Sequence, residues 1–145
     1  EVWEGEYHVS PMAHSRHGDV SAQVTEFLGP RARYTGLRPV GEVNVGLSKH
    51  DFRVPDAAFI RGRDHAVYLP TAAIVVEVVS PGDESYAKFG FYFARGVDEV
   101  LIVDPQCKAV EWYGRGAEGF ERTGRSTLLD LDEATLHGKI DWPPA

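Results

Sequence analysis

The sequence has a single cysteine, Cys107, which excludes an internal disulfide and any multi-cysteine metal site. It also lacks a long apolar run. The most hydrophobic stretch, Ala72 to Val79, is far shorter than the roughly 20 residues a membrane-spanning helix needs, and Glu77 lies inside it. The opening Glu1-Val2-Trp3-Glu4-Gly5-Glu6 has neither the basic start nor the apolar stretch of a secretory signal, and without an initiating methionine it reads as the start of a fragment. These absences lead to the expectation of a cytoplasmic protein with no membrane segment. Positive charge is scarce as well. With 15 Lys and Arg against 22 Asp and Glu, the net charge of −7 argues against a surface that grips nucleic acid all over. Arg31, Arg33, Arg38, Arg61 and Arg63 are the local exception, clustered where they could follow a phosphate backbone.

What is present suits a globular domain. A length of 145 residues fits one domain spanning residues 1–145, and 43% hydrophobic with 26% charged residues excludes disorder and fibrous architectures. Tyr7 and Val9 alternate weakly in a short strand ending at Ser10-Pro11. From Ser15 to Leu28, the spacing of His17, Val20, Val24, Phe27 and Leu28 predicts an amphipathic helix stopped by Gly29-Pro30. Val43, Val45 and Leu47 alternate with polar or small residues, so a strand is expected there. It would pair as a hairpin with a strand from Phe52 to Ile60 that is disturbed at Pro55.

The run Thr71 to Val79 lacks alternation, as a central strand covered on both faces should. A second helix is predicted over Glu84 to Arg95, capped by Gly96, and a buried strand over Glu99 to Val103. Strand, helix, strand in this order predicts two parallel strands joined by a crossover. Ala109 to Tyr113 and Gly119 to Thr123 form a further expected hairpin, and a tail with Leu128, Leu129, Leu131 and Leu136 follows. The expected fold class is α/β (α+β), a mixed β-sheet flanked by helices.

Three residues carry the chemistry. Glu77 sits in the most apolar strand, where an unpaired carboxylate would cost several kcal/mol, so it needs a partner or a metal. Asp56 follows a proline that disturbs its own strand, and pairing of the two strands would bring both carboxylates to one place. Such carboxylates repel, and a hard divalent cation with oxygen ligands, Mg²⁺ or Mn²⁺, resolves the conflict. The backbone carbonyl of Val78 and waters would complete its shell.

The order Pro55-Asp56, then Glu77 in a β-branched strand, then Lys88 resembles the PD-(D/E)XK superfamily of restriction-endonuclease-like nucleases. Phe52-Arg53-Val54-Pro55-Asp56, Val76-Glu77-Val78-Val79-Ser80-Pro81, Lys88, Tyr92, Gly96-Val97 and Ile102-Val103-Asp104-Pro105 further resemble the bacterial Uma-two family, described as putative restriction endonucleases. The likeness spans most of the chain, with residues 52–105 its specific part and Gly5-Glu6, Ser10-Pro11 and His17 a looser one. It implies that Asp56 and Glu77 bind metal and that Lys88 orients the attacking water or neutralises the phosphate. It also implies a substrate that is nucleic acid, DNA in the first place. The superfamily's lysine usually lies two residues after the glutamate, where this chain has Val79, so the helix would supply it instead.

Each residue has a plainer alternative. Asp56 could bond nearby amides at a strand end, Glu77 could form a buried ion pair with an arginine or Lys88, and Lys88 could pair with Glu84 along a helix. Glu6 and Glu42 are candidates for an additional acidic residue, or are solvated strand residues. His17 is a further candidate, or a half-buried hydrogen-bonded histidine. Aromatics on two sides of the second helix, Tyr86 and Phe91, fit a homodimer interface or a core packed from both sides. Two functions follow: a metal-dependent endonuclease, or a catalytically silent nuclease-fold module for dimerisation or binding.

Overall fold

The computed structural model describes residues 1–10 and 13–144. In chain order the elements are β1 (Val2–Trp3), β2 (Glu6–Tyr7), α1 (Ser15–Tyr34), β3 (Leu37–Val40), β4 (Asn44–Ser48), β5 (Asp51–Arg53), β6 (Ala57–Arg61), β7 (Tyr68–Leu69) and β8 (Ile74–Val78). A 3-10 turn (Tyr86–Lys88) leads into α2 (Phe89–Ala94). Then come β9 (Glu99–Asp104), β10 (Ala109–Arg115), β11 (Phe120–Arg122), β12 (Arg125–Ser126), β13 (Leu131–Asp132) and α3 (Glu133–His137). Mixed sheets with flanking helices make this an α+β fold.

The central sheet has the order β11-β10-β9-β8-β6-β3, and a second one runs β2-β1-β5-β4-β7. β8 and β9 are parallel, as the strand-helix-strand order predicts, and the other pairs of the central sheet are antiparallel. Alternation along the central strands feeds two cores. Ala57, Phe59, Ile74, Val76, Leu101 and Val103 face α1 and the C-terminal tail. Ala58, Ile60, Val75, Val100 and Ile102 face α2 and the second sheet. Both faces of β8 are therefore covered, which is why its sequence shows no alternation.

Three expectations need correction. α1 does not stop at Gly29-Pro30 but runs on to Tyr34 with Pro30 inside it. Pro30 removes one helical hydrogen bond, but Leu28 and Ala32 are fully buried, and a buried Leu alone contributes about 1.5–3 kcal/mol. The strand expected from Phe52 to Ile60 is two strands in different sheets, with Val54-Pro55-Asp56 crossing between them. Only β5 pairs with β4 as a hairpin. The second helix is shorter than expected. Its end is as predicted: Gly96 has φ +77, and the Gly96 and Val97 N–H groups donate to the Phe93 and Tyr92 carbonyls. The turn expected at Ser10-Pro11 lies partly outside the described residues.

No helix among the described residues is long and apolar enough to cross a membrane. The β10–β11 hairpin forms as expected. β3 is an element for which the local pattern carries no clear signal. It is an edge strand containing Pro39, where a missing backbone donor is tolerated.

Candidate active site

The site forms where the chain passes from one sheet to the other. Pro55 cannot donate to a strand ladder, so the chain there is free to change sheets. Asp56 then takes over with its side chain. Its N–H donates to the Val76 carbonyl at 3.0 Å, and its Oδ2 accepts from the Val78 N–H at 2.7 Å. The side chain thus prolongs the β6–β8 ladder beyond its first pair, Ala57 with Val76, and continuing that register by one residue sets Asp56 opposite Glu77.

Glu77 is 3% exposed. Its Oε1 accepts from the Tyr92 hydroxyl at 2.5 Å, and the Lys88 ammonium lies 3.1 Å from both carboxylate oxygens. Lys88 also reaches Glu1 Oε1 at 2.8 Å, so one ammonium bridges two largely buried carboxylates. Burial pushes the Glu77 carboxyl above the usual carboxylate range. Lys88 and the Tyr92 hydroxyl pull it down, while the charge of Asp56 pushes it further up. Burial works against the Lys88 ammonium, yet Glu77 and Glu1 outweigh it and leave its pKa raised. Burial likewise lifts Glu1, but Lys88 outweighs it and leaves that carboxyl below its ordinary value. Burial and then Glu77 hold the Tyr92 phenol in its protonated form.

His17 enters from the first turn of α1. Its Nε2 lies 2.8 Å from Asp56 Oδ1 and its Nδ1 2.9 Å from Ser80 Oγ. The neutral tautomer that satisfies both donates from Nε2 to the carboxylate and accepts from the serine hydroxyl. The hydrogen bond to Asp56 raises the His17 pKa, and burial opposes that shift.

Asp56, Glu77, Val78, His17 and Lys88 all line one cleft of about 690 Å³, together with Glu1 and Ser80. Glu6 and Glu42 are not brought there. Glu6 is exposed on β2, and Glu42 lines the neighbouring groove along α1. Lys88 does not pair with Glu84, which meets His8 at 2.9 Å instead. Sequence reasoning missed Glu1 and Ser80 as members of the cleft, and missed the role of Tyr92. Tyr92 follows Lys88 by four residues, a spacing that places two side chains on one helical face. For Glu1, 87 positions before Lys88, no spacing signal exists.

The donor chemistry fits a hard divalent cation. Asp56 and Glu77 offer carboxylates, and the Val78 carbonyl points to the same side of β8 as its N–H, toward Asp56, because both groups of one strand residue face the same neighbour. Among the described residues no group of three or more His, Cys, Asp or Glu side chains forms a metal cage. One or two carboxylates with retained waters are the usual set for Mg²⁺.

The fold is that of nuclease-fold proteins. The structure resembles a putative nuclease of the DUF820 group from Anabaena variabilis, with a TM-score of 0.70 and 15% identity over 94% of this chain and 88% of that one. The DrdV–DNA complex gives a TM-score of 0.45 at 16% identity, over 86% of this chain and 12% of that one. No curated protein matches. The chain belongs to the Uma2 family, described as putative restriction endonuclease, whose model matches residues 1–138.

Proposed function

We propose that this protein is a Mg²⁺- or Mn²⁺-dependent endonuclease that hydrolyses phosphodiester bonds of DNA. The observation that carries this reading is the meeting of Asp56, Glu77 and Lys88 in one cleft, with two carboxylates opposite each other in register and an ammonium beside them. Asp56, Glu77 and the Val78 carbonyl would hold the cation. When bound, such a cation supplies a water of lowered pKa and neutralises charge on the phosphate. Hydrolysis joins the water oxygen to phosphorus and breaks one P–O ester bond, with a proton passing to the leaving oxygen. In this reading Lys88 would stabilise the charge that grows on the phosphoryl oxygens, and His17, hydrogen-bonded to Oδ1, would orient Asp56.

A second reading, a catalytically silent module, is favoured by one observation. Every carboxylate oxygen of Asp56 and Glu77 already has a hydrogen-bond partner, in His17, the Val78 N–H, Lys88 and Tyr92. The test is incubation of the purified protein with supercoiled plasmid in Mg²⁺, in Mn²⁺ and in EDTA. Conversion to nicked or linear DNA only with a cation is expected. Intact plasmid under all three conditions would favour the silent module.

A further inference from the structure

A second feature is cationic in an otherwise acidic molecule. Beyond the C-terminal end of α1, a pocket of about 370 Å³ is lined by Arg33, Gly36, Leu37, Arg38, Gly62 and Arg63. Among the described residues three arginines and no Asp or Glu line it, although the chain as a whole carries −7. The neighbouring arginines are engaged: Arg61 pairs with Asp98 at 2.6 Å and Arg31 lies 5.4 Å over the Phe27 ring. Arg33, Arg38 and Arg63 form no ion pair among the described residues.

Two of the lining residues are glycines at strand ends. Leu37 pairs with Arg61, so Gly36 before β3 and Gly62 after β6 lie at the same end of that strand pair. Both have positive φ, +83 and +76, and a Cβ on either would meet nothing within 4 Å.

The pocket is connected to the cleft. A groove of about 970 Å³ runs along α1 from His17 and Asp56 to Arg33, which lines groove and pocket alike. Small residues at Gly18, Ala22 and Gly29 keep its floor low. From His17 to Arg33 the helix advances about 24 Å at 1.5 Å per residue. Along a duplex axis that equals the rise of about seven base pairs at 3.4 Å each. Glu26 and Glu42 on the groove walls repel phosphate, so the holding contacts belong at the two ends.

We propose that the Arg33–Arg38–Arg63 pocket binds a backbone phosphate of the substrate strand, several nucleotides from the scissile bond. This proposal rests on the nuclease reading, and the two can fail separately. The three arginines are planar bidentate donors suited to phosphate oxygens, and they would fix how a strand lies across the cleft without reading its sequence.

The test is fluorescence anisotropy with labelled single-stranded and duplex oligonucleotides of 4 to 16 nucleotides, in EDTA so that binding is read without cleavage. Wild type is compared with Arg33→Ala/Arg38→Ala/Arg63→Ala and with the corresponding triple Lys variant. Wild-type affinity is expected to step up once the oligonucleotide is long enough to span cleft and pocket together, and the step should vanish in the Ala variant and return in part in the Lys variant. The slope of log K against log salt should shrink in the Ala variant by about 0.9 for each duplex phosphate that is no longer neutralised.

Equal affinity and slope in wild type and Ala variant would overturn the proposal, as would absence of binding by wild type. Competition by micromolar inorganic phosphate without any length dependence would also overturn it, making the pocket a free-anion site. If the length step is present but plasmid stays intact with Mg²⁺ and Mn²⁺, the nuclease reading fails and the pocket stands. If plasmid is cleaved and the Ala variant binds as wild type, the reverse holds.

Discussion

The Lys88 ammonium lies 3.1 Å from both carboxylate oxygens of Glu77 and 2.8 Å from Glu1 Oε1, so a residue on the turn before α2 neutralises the one carboxylate of the buried strand β8. Removing one partner of a buried pair leaves the other uncompensated, at roughly 3–5 kcal/mol. Lys88→Ala should therefore lower the unfolding free energy by about 3 kcal/mol in urea titrations. A loss of about 0.5 kcal/mol or less, typical of an exposed helical pair, would return Lys88 to the surface.

Glu99 is the second buried carboxylate, and it has no cation partner among the described residues. It accepts from the Trp112 indole at 2.9 Å, the Ser126 hydroxyl at 2.6 Å, the Thr127 amide and hydroxyl, and the Leu128 amide. This carboxylate therefore fastens the 126–129 turn to the central sheet. Glu99→Ala leaves several buried donors unpaired, at about 1–3 kcal/mol for each such group. We expect a destabilisation of more than about 3 kcal/mol, with a shift in Trp112 fluorescence as its surroundings rearrange.

The alkaline limb of stability should carry a tyrosine signature. Burial, followed by the hydrogen bond to Glu111, pushes the Tyr113 phenol up to about 12. A folded-state pKa above the unfolded value contributes stability that is fully present below pH 10 and is lost as pH rises through about 12. Titration of tyrosinate absorbance should show a phase near pH 12 that disappears in Tyr113→Phe. An unchanged curve in that variant would assign the phase elsewhere.

Much of the site was legible because its residues break local rules. A glutamate inside a β-branched run, an aspartate after a strand proline, and a lysine within reach of both require an explanation, and the cleft brings all three together. The parallel β8–β9 pair was legible from the strand-helix-strand order. What local pattern could not reveal depends on tertiary contacts. Burial of Ala32 carries α1 past Pro30, and the change of sheet at Val54-Pro55-Asp56 divides what reads as one strand. Glu1 joins Lys88 only because β1 pairs with β5 and brings the chain start beside Val54. Glu6 and Glu42 have the right chemistry but lie outside the cleft, since strand propensity does not say which face or edge a charge occupies.

In the proposed function Asp56 and Lys88 act in phosphodiester hydrolysis at a cation held by Asp56 and Glu77. The direct measurement is the initial rate of supercoiled-plasmid nicking at saturating Mn²⁺ for wild type, Asp56→Asn and Lys88→Ala, each checked for folding by circular dichroism. Both variants are predicted to fall by about 100-fold or more, corresponding to about 2.7 kcal/mol of transition-state stabilisation. Lys88→Ala should also keep the Mn²⁺-induced rise in melting temperature, while Asp56→Asn should lose it. Wild-type nicking rates in folded Asp56→Asn, or no cation-dependent nicking by wild type, would contradict the claim.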